Sequence, residues 1–218
     1  MKSINWIDQA PAGNMVPVNH VPEQSMSLIN TEIKPFKATA YHDGKFVTLT
    51  EQSLKGKWSV VVFYPADFTF VCATEFGALA EKQDQFAKLN ADVFTVSTDT
   101  QYTHLAWQRE EKELAQSRFK MAADPNHAIA SLFGVLDDGS GLALRGSFII
   151  SPEGKLMNSE VNFYNMGRNI DELLRKLKAN IHLAKAPAEA CPAKWREEGD
   201  KTLTPGPKMV GRVHDALK

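Results

Sequence analysis

Apolar residues gather in short unbroken runs along this chain. Ser59–Tyr64 (SVVVFY) and Val93–Thr98 (VFTVST) carry β-branched and aromatic residues without a regular polar alternate, the pattern of strands buried on both faces. Gly146–Ser151 (GSFIIS), the turn Pro152-Glu153-Gly154 and Leu156–Phe163 predict a strand–turn–strand unit. Upstream, His42-Asp43-Gly44-Lys45 separates two strand-like stretches, a hairpin signal. Helical spacing appears between these runs. From Cys72 to Leu89 it is kept by Phe76, Leu79, Phe86 and Leu89, with Gln83 the exception. Gln101–Gln116 reads as a helix with Arg109–Glu113 on a charged face. A short helix is expected near Asp124, with Pro125 in its first turn and Ile129, Leu132 and Phe133 on one side. Ile170, Leu173, Leu174, Leu177 and Ile181 form the stripe of a closing helix over 171–182.

Strands alternating with helices, then a hairpin and a last helix, predict an α/β sandwich around a central mixed sheet. Residues 1–25 hold Pro11, Gly13, Pro17 and Pro22 and no sustained period, so they read as an irregular N-terminal arm. The main domain spans 26–184. The segment 185–218, with Pro187, Pro192, Pro205 and Pro207, reads as an extended C-terminal arm.

Composition narrows the function. The chain has 25 Lys+Arg against 26 Asp+Glu, a formal charge of −1, which argues against nucleic-acid and membrane-surface partners because both need clustered positive charge. No run reaches the ~18 apolar residues of a membrane span. The first 25 residues contain neither an apolar core nor an Arg and match no signal peptide, which makes a cytoplasmic location the expectation. Two cysteines, Cys72 and Cys191, are too few for a disulfide-stapled scaffold or a four-thiolate zinc site. Each is either a buried small hydrophobe or a reactive thiol.

The stretch Tyr64-Pro65-Ala66-Asp67-Phe68-Thr69-Phe70-Val71-Cys72-Ala73-Thr74-Glu75 carries the most chemistry. A strand ends at Pro65, a short loop follows, and Cys72 falls in the first turn of a helix. Unpaired N–H groups and the positive end of the helix dipole favour a thiolate there. Thr69 has the spacing of an N-cap whose hydroxyl faces the Cys72 N–H, and could equally donate to a bound oxygen atom. Taken singly, Thr69 reads as a plain cap and Pro65 as a plain strand terminator.

P-x-x-x-T-x-x-C at such a junction resembles the active-site motif of peroxiredoxins. FYPADFTFVC is similar to that of the alkyl hydroperoxide reductase C group of typical two-cysteine members. SLINTEIKPFKA, HLAWQ at 104–108, LRGSFIISPEG at 144–154, GRNIDELLRKLKA at 167–179 and ACPAKW at 190–195 extend the likeness over residues 26–213. The resemblance implies a thioredoxin-like fold and a thiol peroxidase acting on hydrogen peroxide and organic hydroperoxides. Cys72 would attack the peroxide and become a sulfenic acid. Arg145 would lie near its sulfur, Thr69 would hydrogen-bond the peroxide and Pro65 would shield the thiolate. Glu75 and Arg168 would support Arg145, with ordinary helix-surface pairing as the rival reading. Trp107 packs beside the site or serves it directly.

Cys191 would be the resolving cysteine, forming an intersubunit disulfide within dimers that assemble into a decamer. No metal or organic cofactor is implied. A thioredoxin-type protein or a flavoprotein disulfide reductase would restore the thiols. A redox sensor or a ring-shaped chaperone with little turnover is the alternative, whereas a thioredoxin-like exchanger lacks its C-x-x-C, since 72–75 reads C-A-T-E. Two departures stand out. Ala73 replaces the family's usual proline, which predicts an altered balance between folded and unwound helix. Asp138–Leu142 only loosely resembles the Gly-Gly-Leu-Gly insertion of hyperoxidation-sensitive members, and the C-terminus lacks their Tyr-Phe helix, which predicts resistance to excess peroxide.

Overall fold

The computed structural model describes residues 27–218, so the expected arm over 1–25 lies outside the described residues. The chain opens with the hairpin β1 (Lys37–His42) and β2 (Lys45–Thr50), turned at Asp43 and Gly44, both at positive φ. Then follow β3 (Trp58–Phe63), α1 (Phe70–Lys88), β4 (Ala91–Ser97), α2 (Gln101–Glu110), β5 (Lys120–Ala123) and α3 (Ala128–Leu132). The two-residue strands β6 (Leu136–Asp137) and β7 (Leu142–Ala143) form a small separate sheet. The chain continues through β8 (Arg145–Ile150), β9 (Leu156–Asn162), α4 (Ile170–Lys185) and α5 (Val213–Leu217).

Seven strands make one mixed sheet in the order β2-β1-β5-β4-β3-β8-β9. β3 is parallel to β4, β4 is parallel to β5, and the remaining pairs are antiparallel. Every residue of β3 is buried, as its unbroken apolar run requires. Its alternate side chains feed two cores. Val60, Val62 and Tyr64 join Cys72, Phe76, Leu79, Trp107, Leu174 and Leu177 on one face. Val61 and Phe63 join Ile129, Phe133, Phe148 and Leu156 on the other. Each such side chain contributes roughly 1.5–3 kcal/mol on burial. α1 is thereby fixed at the C-terminal end of a parallel strand, where open α/β sheets place their sites.

The structure corrects the sequence reading at four places. α2 stops at Glu110, because Glu111 turns extended and Lys112–Leu114 form a 3-10 turn that takes Leu114 into full burial. α3 begins at Ala128, not near Asp124. The Asp124 carboxylate accepts from the N–H groups of Ile129 (3.0 Å) and Ala130 (2.7 Å), so it caps the helix from beyond a left-handed His127. β5 is a strand for which the sequence pattern gives no expectation. The segment beyond α4 is not simply extended: Ala190 bridges to Leu203, Trp195 is 1% exposed, and the Trp195 carbonyl accepts from Arg175 of α4 at 3.0 Å.

Candidate active site

Pro65 ends β3 because it has no N–H to continue the ladder; the last bond runs from Tyr64 N–H to the Val96 carbonyl at 3.0 Å. Pro65 is buried. Phe68 then takes a left-handed conformation, φ 57°, and Thr69 returns the chain to extended geometry as the N-cap of α1. Its side chain does not cap, contrary to the expectation. The hydroxyl donates instead to the Ala66 carbonyl at 2.8 Å, inside the loop. Its only hydrogen is thus occupied, and toward a bound molecule Thr69 Oγ1 presents acceptor lone pairs.

Cys72 is the third residue of α1 and is 0% exposed. Its backbone N–H belongs to the first turn, where helical donors have no partner of their own. Arg145, the first residue of β8, brings Nη1 to 3.3 Å from Cys72 Sγ and to 2.6 Å from Glu75 Oε2. Its Nε donates to the Tyr164 carbonyl at 2.7 Å, which fixes the plane of the guanidinium. Glu75 holds two arginines together. Its Oε1 lies 3.0 Å from Arg168 Nε and accepts the Arg168 backbone N–H at 2.9 Å. Arg168 also donates to the Phe63 carbonyl. Burial lowers Arg168 to about 10, with the Arg145 charge adding to the effect and the Glu75 charge opposing it. It therefore stays charged near neutral pH, and the cluster sets two guanidiniums against one carboxylate and the Cys72 sulfur.

Both cysteines are free thiols. Cys191 is half-buried in the segment after α4, and burial pushes its thiol up while the nearby Arg175 charge pulls it down. Pro65, Thr69, Cys72, Glu75, Arg145 and Arg168 thus belong to one end of the sheet, and Cys191 belongs to the surroundings of α4. Trp107 is fully buried, its ring 5.0 Å from Phe76 and 5.8 Å from Tyr64. Two partners escape the sequence reading: the Tyr164 carbonyl behind Arg145, and Asp67, whose carboxylate meets His104 Nδ1 at 2.7 Å. A main-chain acceptor leaves no trace in a sequence. The only signal for Asp67 is an acid inside an otherwise apolar loop.

The arrangement suits two-electron oxidation of a thiolate: a shielded sulfur, a cation against it, and helix N–H donors for the developing negative oxygen. Residues 29–159 match the family model described as the AhpC/TSA family. The chain is 46% identical over 188 residues to alkyl hydroperoxide reductase C of Pseudomonas aeruginosa, covering 86% of this chain and all of that protein. The structure resembles Enterococcus faecalis AhpC, with a TM-score of 0.75 at 44% identity over 77% of this chain and 100% of that one. It also resembles the reduced Plasmodium vivax 2-Cys peroxiredoxin, with a TM-score of 0.78 at 32% identity over 84% and 95% of the two chains. The fold is thioredoxin-like.

Proposed function

From the premise that the chain belongs to the AhpC/TSA family and is a thiol-dependent peroxidase, we propose that Cys72 is the thiol that meets the peroxide. The carrying observation is Arg145 Nη1 at 3.3 Å from a buried Cys72 Sγ in the first turn of α1. The cation and the helix end favour the thiolate. The thiolate attacks one peroxide oxygen and the O–O bond breaks. The departing oxygen takes the electron pair and a proton and leaves as water or an alcohol. Cys72 is oxidised by two electrons to a sulfenic acid. Arg145 stabilises the charge as it moves from sulfur to oxygen. Thr69 Oγ1 accepts from the peroxide O–H and orients it, while Pro65 excludes water.

Cys191 then attacks the sulfenic sulfur. A disulfide forms and water departs. Because Cys72 is fully buried, the first turn of α1 must unwind before another thiol reaches it. We read the disulfide as intersubunit. β9 ends the sheet with exposed Met157 and Val161, an edge suited to pairing with a second copy. Exposed Phe46, Phe68, Phe70 and Tyr102 support a second contact, through which dimers assemble into a decamer. A redox partner reduces the disulfide, and this reading assigns that role to a thioredoxin-type or flavoprotein reductase in the cytoplasm. No helix among the described residues is long and apolar enough to cross a membrane. The sensor or chaperone alternative is not favoured, since the matching relatives are named as peroxide-reducing enzymes.

The test is peroxide consumption with a dithiol reductant by the wild-type chain, Cys72→Ser and Cys191→Ser. Cys72→Ser is expected to abolish consumption, whereas Cys191→Ser, with the reductant left out, still oxidises Cys72 once per protomer. Full activity in Cys72→Ser would overturn the assignment.

A further inference from the structure

A buried polar group that the peroxide chemistry does not use holds the loop carrying Pro65 and Thr69. The Tyr64 hydroxyl donates to Asp67 Oδ1 at 2.7 Å. Asp67 Oδ2 lies 2.7 Å from His104 Nδ1, and His104 Nε2 lies 3.1 Å from the Ala122 carbonyl. The Asp67 backbone N–H donates to Asp99 Oδ2 at 2.9 Å, and that oxygen also accepts from the Ser97 hydroxyl at 2.7 Å. The loop is thus tied to α2, to the end of β4 and to β5 together. Both ring nitrogens of His104 face acceptors. Nε2 therefore carries a hydrogen for Ala122, and one proton is shared along the line from Nδ1 to Asp67.

Tyr64 and His104 are 1% and 0% exposed, and the Asp67 and His104 side chains are wholly buried. A buried polar pair adds little net stability over apolar packing, so its presence points to specification of one conformation. The conformation in question is at hand. Phe68, next to Asp67, sits at φ 57°, a left-handed conformation that is unfavourable for a bulky residue and persists only where neighbours over-determine it.

We propose that Tyr64, Asp67 and His104 form a latch that sets the Pro65–Thr69 loop in its peroxide-binding shape, with His104 a positioning residue that acts through Asp67. This rests on the reading of Cys72 as the peroxide-reacting thiol. Loss of the latch frees Asp67, lets Phe68 relax and displaces Thr69 from the start of α1. The first chemical step slows. Disulfide formation, which needs the same region open, does not.

Two substitutions at one position separate positioning from space-filling. His104→Asn keeps an amide donor near the Nδ1 position, toward Asp67. His104→Gln keeps one near Nε2, toward Ala122. Full-length reduced protein is mixed with hydrogen peroxide, and rapid quenching with mass spectrometry follows Cys72 oxidation and disulfide formation separately. His104→Gln is expected to slow Cys72 oxidation about 10- to 100-fold, the scale of a small misplacement in a site. His104→Asn should recover most of that loss, with disulfide formation unslowed in both. Tyr64→Phe, which keeps the packing volume, should slow oxidation severalfold. Equal losses in the two His104 variants, or an unchanged rate in Tyr64→Phe, would overturn the latch. A wild-type chain whose Cys72 stays reduced would instead overturn the reading beneath it.

Discussion

Arg145 and Cys72 are 73 residues apart in sequence, yet the guanidinium Nη1 lies 3.3 Å from the sulfur. The same nitrogen lies 2.6 Å from Glu75 Oε2, so one donor faces an acceptor that is permanent and one that changes during the reaction. As negative charge leaves sulfur for oxygen, the guanidinium is already aimed at its path and need not reorganise.

Removing that donor should therefore act on the first step. Arg145→Ala is expected to lower the second-order rate constant for hydrogen peroxide about 100- to 1000-fold, the scale for a lost transition-state donor. Arg145→Lys keeps the charge but not the planar fork, and should recover only part of the rate. Single-turnover kinetics of Cys72 oxidation check both.

Glu75 has the opposite role, holding the cations together. Both arginines that it pairs are nearly buried. Glu75→Gln leaves two guanidiniums facing each other without a counter-charge and should destabilise the fold by about 3 kcal/mol, as breaking a buried pair does. Urea unfolding of the reduced protein measures this. Glu75→Gln with wild-type stability would show that solvent already screens the cluster.

The Ala73 N–H donates to the Thr69 carbonyl at 3.3 Å. Proline has no N–H to make that bond. A hydrogen bond of this kind is worth about 0.5–1.5 kcal/mol net. Ala73→Pro should accordingly favour the unwound first turn and speed disulfide formation by roughly 2- to 10-fold, with Cys72 oxidation unchanged. Identical disulfide rates in the two forms would contradict this role for the Ala73 N–H.

Cys191 predicts a pH dependence. Burial raises its thiol above the usual value, the Arg175 charge opposes the rise, and Glu189 reinforces it. Only the thiolate attacks a sulfenic acid. A raised thiol is mostly protonated at neutral pH, so the disulfide-forming rate should climb as pH increases through and beyond the ordinary cysteine range. Arg175→Gln removes the opposing charge and should shift that climb to higher pH. A rate flat from pH 7 to 9.5 would contradict this.

α5 buries none of its residues, so it places no apolar cover over α1. Sulfinic acid on Cys72 should accumulate slowly under modest excess peroxide, as intact mass measurements would record. Deletion of residues 212–218 should leave that rate unchanged.

How far these features are legible in the sequence depends on the interaction behind each. β3, β4 and β8 announce themselves because a buried strand needs a run of apolar or β-branched residues, whereas the half-exposed edge strand β9, LMNSEVN, is announced by the Pro152-Glu153-Gly154 turn before it. β5 does not, since its four residues, KMAA, include no β-branched one and it is held by neighbours on both sides. The early end of α2 follows from the burial of Leu114, a tertiary demand that overrides an otherwise helical pattern. Pro65, Thr69, Cys72 and Arg145 are visible through their motifs. The direction of the Thr69 hydroxyl is not, because Ala66 offers a competing acceptor three residues back. Asp67 and His104 meet across 37 residues, a pairing that no local spacing encodes.

The most direct check on the two-cysteine cycle is to reduce the full-length protein, add one equivalent of hydrogen peroxide, and map cross-linked peptides from a non-reducing gel. The expected result is a band of dimer mass in which Cys72 of one protomer is joined to Cys191 of a second. Persistent monomer carrying Cys72 sulfenic acid with Cys191 free would contradict the cycle, and a monomer with an internal disulfide would contradict the intersubunit geometry.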